Sequence, residues 1–226
     1  MTSAGIWNRR TPITLLVGVA LGVTLAIPGT GALGAFAIAI VAVLIARKQG
    51  SVRDVGLARP DSWLRILGAT LAFGFAFQLF SLVIVEPLLA RITGAPADIS
   101  VFDGVRGNFQ GFLMLLAVGW IVGGFLEEFT FRGFIAGRIY WLFGSSTASA
   151  WTGVTIAAVI FGLAHAYQGV SGMIVTGLTG FILGAIYVSS GFNLWYAILS
   201  HGFMNTAGIF ALYLDIDRQL GALLFG

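Results

Sequence analysis

The sequence predicts an all-α protein, a polytopic transmembrane bundle of about seven or eight helices. The 226 residues are 58% hydrophobic and only 9% charged, and the mean hydropathy is +0.97. A soluble domain carries about 25% charged residues, so this composition excludes a soluble protein with a single anchor. The chain has no cysteine, which excludes disulfides, thiolate catalysis and iron–sulfur clusters.

Seven apolar runs follow one another along the chain, and each predicts a membrane span. They comprise residues 13–27, 32–46, 64–89, 109–126, 148–166, 170–189 and 192–214. The helical pattern of the fourth run continues to residue 143, and an eighth helix results if residues 133–143 fold separately. We expect one compact membrane domain, with N-terminal helices and loops in residues 1–108 and the polar motifs in a helical core of residues 109–226.

Basic residues indicate which side of the membrane the loops occupy. The most basic loop follows the second run and contains Arg47, Lys48, Arg53, Arg59 and Arg65. Because Lys and Arg accumulate in cytoplasmic loops, this loop and the N-terminal Arg9 and Arg10 are expected on the cytoplasmic side. The net charge of +3 gives no footprint for nucleic acid, so the lipid bilayer is the expected partner.

Three charged side chains, Glu127, Glu128 and Arg132, lie close together in an apolar stretch. Inserting an ionised group at membrane depth costs about 2.5–3.5 kcal/mol on insertion scales. We therefore expect these side chains to be paired with other groups or to have a function. Glu128 and Arg132 are four residues apart and share a helix face, which favours an ion pair that supports the site. Glu127 is turned about 100° away, beside Gly123 and Gly124, where bare backbone leaves room for water or a substrate main chain.

Both histidines of the chain also lie in apolar runs. His165 follows Phe161 by four residues, and His201 precedes Asn205 by four. His201 and Asn205 therefore share a helix face and can together hold one carbonyl oxygen. A single buried histidine is often only a helix–helix hydrogen-bonding residue. Since these are nearly the only strongly polar groups at depth, we expect them to meet in one site.

These side-chain types suit the hydrolysis of a peptide bond. Glu127 and His165 can share the activation of one water molecule as general bases. His201 and Asn205 can stabilise the oxyanion. No Ser–His–Asp order and no His-Glu-x-x-His zinc motif occurs. One Glu and two His nevertheless form a catalytic zinc set, so Glu127, His165 and His201 remain a metal alternative, and the cofactor stays open between zinc and none.

Three ordered motifs resemble those of the CPBP family, the CAAX prenyl proteases of type II and bacteriocin-processing or self-immunity membrane proteases. The matching segments are Glu127-Glu128-Phe-Thr-Phe-Arg132 for Glu-Glu-x-x-x-Arg, Phe161-Gly-Leu-Ala-His165 for Phe-x-x-x-His, and His201-Gly-Phe-Met-Asn205 for His-x-x-x-Asn. The resemblance implies a multi-helix intramembrane endopeptidase with the roles given above. It also implies a peptide or membrane-protein substrate and a place in a bacterial or archaeal cell membrane.

Two other functions remain open at this point. A non-catalytic membrane scaffold or bacteriocin-immunity protein would retain the same fold. A proton-coupled transporter would also use buried Glu and His side chains. The sequence lacks the inverted repeat that many transporters show, which makes the transporter the weaker alternative.

Overall fold

The computed structural model describes residues 56–223 and, before them, only Ala37, Ile40 and Leu44, which are helical. The span predicted at residues 13–27, the rest of the span predicted at residues 32–46 and part of the basic loop lie outside the described residues. Residues 56–223 contain helices and no strand, which confirms the all-α membrane bundle. The division into residues 1–108 and 109–226 stays a prediction.

Residues 56–223 form six helices, α1 to α6, connected by short turns and one longer loop. Their bounds are α1 Trp63–Thr93, α2 Phe109–Leu142, α3 Thr147–Ala164, α4 Gly169–Ser189, α5 Leu194–Tyr213 and α6 Asp217–Ala222. Two short 3-10 turns lie at Ser100–Val105 and Ala166–Gln168. The separate helix considered for residues 133–143 is not formed, because α2 continues without interruption from residue 109 to residue 142.

Four helical stretches of residues 56–223 are long and apolar enough to cross a membrane. They are Trp63–Thr93, Phe109–Leu142, Thr147–Ala164 and Ala166–Ser189. The last predicted span is also helical, as α5, but it is not one of these four. Helix α5 lies inside the bundle, where it packs against α1, α2 and α4.

The helix ends follow from short polar residues and from one glycine. Asn108, Ser146 and Asn193 precede α2, α3 and α5, and each side chain accepts a hydrogen bond from a backbone N–H of the first turn. Such caps satisfy donors that the helix leaves unpaired. Gly94 ends α1 with φ 83°, in the left-handed region where glycine is favoured.

The core of the bundle gathers around the middle of α2. Buried side chains from α2, α3, α4 and α5 form one cluster. Its members are Phe129, Phe131, Phe134, Ile135, Ala136, Ala157, Phe161, Tyr187, Leu194, Ala197 and Ile198. This cluster surrounds the segment that carries the adjacent glutamates, so their helix is held on several sides.

Helix α2 is wound unusually across its centre. Gly119–Glu127 and Phe129–Ala136 adopt π-helical winding, with hydrogen bonds spaced more widely than in an α-helix. Long π-helical segments are rare, and π-bulges occur frequently at functional sites. The rotation of about 100° per residue used to separate the faces of Glu127 and Glu128 applies to an α-helix, so it does not hold here.

A cluster of charges ties the loop before α2 to the connection between α5 and α6. Arg106 donates hydrogen bonds to Asp103 at 3.0 Å, to Asp215 at 2.6 Å and to both carboxylate oxygens of Asp217 at 2.6 and 2.9 Å. These four residues are called the rim cluster below. The hydrogen bonds from Arg106 hold the pKa of Asp217 below its usual value.

Candidate active site

Glu128 lies at the centre of a buried polar network. Its side chain is fully buried, and its Oε1 atom accepts hydrogen bonds from Arg132 Nη1 and from His201 Nδ1, both at 2.7 Å. The ion pair with Arg132 confirms what the four-residue spacing predicts. The contact with His201 brings a histidine from α5 onto α2. Glu128, Arg132 and His201 are called the inner cluster below.

Arg132 joins three helices around this carboxylate. Besides Glu128, it donates from Nη2 to the backbone carbonyl of Gly180 on α4 at 2.8 Å. Its guanidinium carbon lies 4.7 Å from the centroid of the Phe161 ring on α3. A guanidinium held over an aromatic face gains a cation–π attraction. Arg132 therefore fixes the relative positions of α2, α3 and α4 around the carboxylate of Glu128.

The bond to Glu128 determines which nitrogen of His201 carries a hydrogen. An ionised carboxylate only accepts hydrogen bonds, so His201 Nδ1 is the donor. In a neutral imidazole the other nitrogen, Nε2, is then an acceptor. His201 can donate from Nε2 only as an imidazolium. The side chain is 8% exposed, so Nε2 lies in a nearly enclosed space.

His201 and Asn205 converge on the bare backbone of α2. A Cβ atom added to Gly123 would overlap the side-chain nitrogen of Asn205 and would lie 3.6 Å from His201 Nε2. Asn205 Nδ2 also donates to the carbonyl of Gly119 at 2.8 Å, which fixes the amide and leaves its second hydrogen for another acceptor. The shared face predicted for His201 and Asn205 is thus present, and it meets a glycine.

His165 occupies the end of α3, one helix away. Its Nδ1 atom lies 2.8 Å from the carbonyl oxygen of Phe161. A carbonyl only accepts, so Nδ1 carries the hydrogen and Nε2 of the neutral ring is free to take a proton. The ring of Phe161 lies between the two histidines, with its centroid 4.8 Å from His165 and 6.2 Å from His201.

Glu127 is half-buried, in contrast to the fully buried Glu128. Its charge acts electrostatically on the guanidinium of Arg132 and on the phenol of Tyr167. Tyr167 belongs to the turn after α3, and its ring centroid is 5.8 Å from that of His165. Tyr167 thus contacts His165 through its ring and interacts electrostatically with Glu127, and sequence reasoning did not identify it.

The metal alternative is not supported by this arrangement. Among residues 56–223, no three His, Asp or Glu side chains are grouped so that they could hold a metal ion. A catalytic zinc ion needs three protein ligands. Glu127, His165 and His201 are therefore not grouped as a zinc site in the described part of the chain.

Sequence reasoning missed two contacts of the site besides Tyr167. Glu128 was assigned only to Arg132, yet it binds His201 as well. Phe161 was noted only as part of a motif, yet its ring adjoins Arg132 and both histidines. The four-residue spacing of Phe161 and His165 was a usable signal for the second contact. No local signal links residues 128 and 201.

Comparisons with known proteins point to one family. A family profile described as "Type II CAAX prenyl endopeptidase Rce1-like" matches residues 109–207. A curated protein of Bacillus subtilis (strain 168) named "Putative membrane peptidase YdiL" is 29% identical over 133 residues, which are 59% of this chain and 51% of that protein. The chain thus spans about half the length of this relative. No solved structure matches the chain.

The matched region coincides with the structural unit described above. Residues 109–207 begin with α2 and include α3, α4 and most of α5, together with both histidines, both glutamates and Asn205. The motifs that suggested the CPBP resemblance all lie in this region. Residues 109–207 are therefore similar to the Rce1-like type II CAAX prenyl endopeptidases, and the chain shares 29% identity over 133 residues with the Bacillus relative.

Proposed function

We propose that the protein is an intramembrane endopeptidase that hydrolyses a peptide bond in a peptide or membrane-protein substrate. The family of residues 109–207 and the name of the Bacillus relative support a peptidase. The proposed mechanism assigns Glu127 and His165 to the water molecule, His201 and Asn205 to the oxyanion, and Glu128 and Arg132 to the support of His201.

The observation that carries this proposal is the convergence of His201 Nε2 and Asn205 Nδ2 on Gly123. Two side-chain nitrogens aimed at one stretch of bare backbone form a cradle for a single oxygen atom. Pre-positioned donors of this kind stabilise the charge that develops on the carbonyl oxygen during acyl transfer. In this role His201 is an imidazolium, with one hydrogen bound to Glu128 and the other directed at the oxyanion.

In this mechanism Glu127 and His165 activate the water molecule. His165 Nε2 carries the free lone pair, because Nδ1 is bonded to the carbonyl of Phe161. Glu127 is exposed enough to reach water, whereas Glu128 has no exposed surface. The water oxygen attacks the scissile carbonyl while its proton passes to Glu127 or His165. That proton is then delivered to the leaving amine as the peptide bond breaks.

The test uses the full chain reconstituted in lipid vesicles with two internally quenched peptides. One carries a prenylated C-terminal CAAX sequence, and the other has the same sequence without the prenyl group. We expect Glu127→Gln and His165→Ala each to lower kcat/KM by about 10²–10⁴-fold, because a positioned general base contributes a factor of this size. Unchanged thermal unfolding of both variants would show that the fold is intact.

Glu86→Gln is the matched control for Glu127→Gln. Glu86 is another carboxylate in an apolar helix, but it accepts a hydrogen bond from Ser81 on α1 and belongs to neither cluster. Cleavage by this variant should equal that of the wild type. Retention of full cleavage by Glu127→Gln or His165→Ala would refute the assigned roles. A cellular phenotype retained by Glu127→Gln would favour the non-catalytic scaffold.

A further inference from the structure

Tyr167 is the aromatic residue closest in sequence to the proposed base His165, and it has no role so far. It lies in the 3-10 turn Ala166–Gln168 that follows α3. Its ring faces that of His165 at 5.8 Å with an interplanar angle of 34°. Its phenol also lies within the electrostatic reach of Glu127. Tyr167 therefore adjoins His165 directly and interacts with Glu127 electrostatically.

The hydroxyl group of Tyr167 is an available hydrogen-bond donor. Gln168 Nε2 donates to the phenol oxygen at 3.0 Å. A phenol has one hydrogen of its own, and none of residues 56–223 accepts it in the hydrogen bonds of this structure. Tyr167 is 49% exposed, whereas Tyr187, which lies within the bundle, is 3% exposed. The donor thus faces outward beside the proposed base.

The turn that carries Tyr167 is held in place from both sides. Gln168 N donates to the carbonyl of His165 at 2.9 Å, and the Gln168 carbonyl accepts from Asp98 N at 2.9 Å. The loop that contains Asp98 is fastened again where Ser171 Oγ contacts Thr93 Oγ1 and the carbonyl of Ala95. A tyrosine on such a turn presents its hydroxyl at a defined position and loses little conformational freedom on binding.

We propose that Tyr167 contacts the substrate: its hydroxyl donates a hydrogen bond to a main-chain carbonyl of the bound peptide, next to Glu127 and His165. The inference rests on the proposed peptidase function and adds a substrate-binding residue to it. A peptide main chain suits this donor because its carbonyls are acceptors at regular spacing. The competing role is an interfacial anchor, since tyrosines are enriched where helices leave the membrane.

Tyr167→Phe separates these roles because it keeps the ring and removes only the hydroxyl. In vesicles with the quenched CAAX peptides, we expect KM to rise about 2- to 12-fold, the effect of one neutral hydrogen bond, with kcat unchanged. Loss of binding that is equal in the ground and transition states has this signature. Tyr140→Phe is the matched control, because Tyr140 packs against Phe192 away from both clusters.

A binding measurement keeps this inference separate from the proposed function. Glu127→Ala and the double variant Glu127→Ala/Tyr167→Phe are compared by fluorescence anisotropy with the same peptides, labelled. The double variant should bind about 2- to 12-fold more weakly.

Equal KM and equal binding would overturn the inference and leave Tyr167 as an interfacial anchor only. A change in kcat alone would also overturn it, because Tyr167 would then act on Glu127 rather than on the peptide. Absence of cleavage by the wild type would defeat the proposed function, while the binding comparison would still decide the role of Tyr167.

Discussion

The inner cluster and the rim cluster use the same chemistry in two different surroundings. Each centres on an arginine that donates charged hydrogen bonds to carboxylates at 2.6 to 3.0 Å. The side chains of Arg132 and Glu128 are 2% and 0% exposed. In the rim cluster Arg106 is 15% exposed, and Asp103 and Asp215 are 47% and 64% exposed. The clusters therefore differ in solvent rather than in bond length.

This difference shows that hydrogen-bond geometry alone does not predict how much a charged pair contributes to stability. Removing one partner from a buried pair leaves the other charge without compensation in a low-dielectric interior. Removing one partner at the rim exposes the other to water, which solvates it. The inner cluster also joins α2, α4 and α5, whereas the rim cluster joins one loop to the α5–α6 connection.

The largest effect is expected from Arg132→Met. The substitution keeps an apolar stem of similar length but removes the arginine charge, which leaves the carboxylate of Glu128 inside the bundle with His201 as its remaining partner. We expect a destabilisation of about 3–5 kcal/mol, as for other buried pairs from which one partner is removed. Chemical unfolding of the purified protein in detergent measures it. The corresponding change at the rim, Arg106→Met, should cost less.

A double variant sharpens this prediction. Arg132→Met combined with Glu128→Leu leaves no stranded carboxylate, so it should be more stable than Arg132→Met alone. Equal stability of the single and double variants would mean that lost packing, rather than an uncompensated charge, dominates. If Arg106→Met destabilises as much as Arg132→Met, the distinction between the two clusters fails.

A smaller effect is expected from Asp217→Asn and from acid. Asp217 binds Arg106 through two hydrogen bonds, and its side chain is 9% exposed. Charged hydrogen bonds contribute about 1.5–3 kcal/mol, so we expect a loss of about that size in the unfolding free energy. Its pKa is lowered in the folded state, so the stabilisation is present above the unfolded value of about 3.9.

As the pH falls through the lowered pKa of folded Asp217, this contribution is lost. The wild type should therefore lose more stability than Asp217→Asn below about pH 4, where unfolded aspartate becomes protonated. Unfolding curves of both proteins at neutral and acid pH check this. Parallel pH dependence of the two proteins would show that Asp217 does not titrate as the rim geometry implies.

The smallest effect is expected from Asp103→Asn. Asp103 is about half exposed and binds Arg106 at 3.0 Å, and Arg218 lies 3.9 Å away. Exposed pairs contribute about 0–1 kcal/mol, and salt screens them. The difference from the wild type should shrink further in high salt. A difference that persists unchanged at about 1 M salt would place Asp103 among the solvent-shielded interactions instead.

Local patterns in the sequence were sufficient for the helices and for part of the site. Short polar caps such as Ser146 and the positive φ of Gly94 fall at the expected breaks. Spacings of four residues correctly paired Glu128 with Arg132 and placed His201 with Asn205 on one face. These features depend on neighbours within one helical turn, which the sequence displays directly.

The contacts between helices could not be obtained in this way. Glu128 and His201 are 73 residues apart, and their bond depends on how α5 packs against α2. Tyr167 gains its place beside His165 only through the turn after α3. The π-helical winding of α2 also changes the directions of its side chains, and the apolar pattern of Gly119–Glu127 does not reveal it.

The two π-helical segments of α2 have a consequence for how this chain can change in length. A π-helical turn contains more residues than an α-helical turn. Gly119–Glu127 and Phe129–Ala136 therefore contain more residues than an α-helix of the same length would. Deletion of one residue between positions 119 and 136 would let one of these segments relax toward α-helical winding and would rotate the side chains on one side of the deletion relative to those on the other. The segment between residues 119 and 136 should therefore tolerate hardly any shortening.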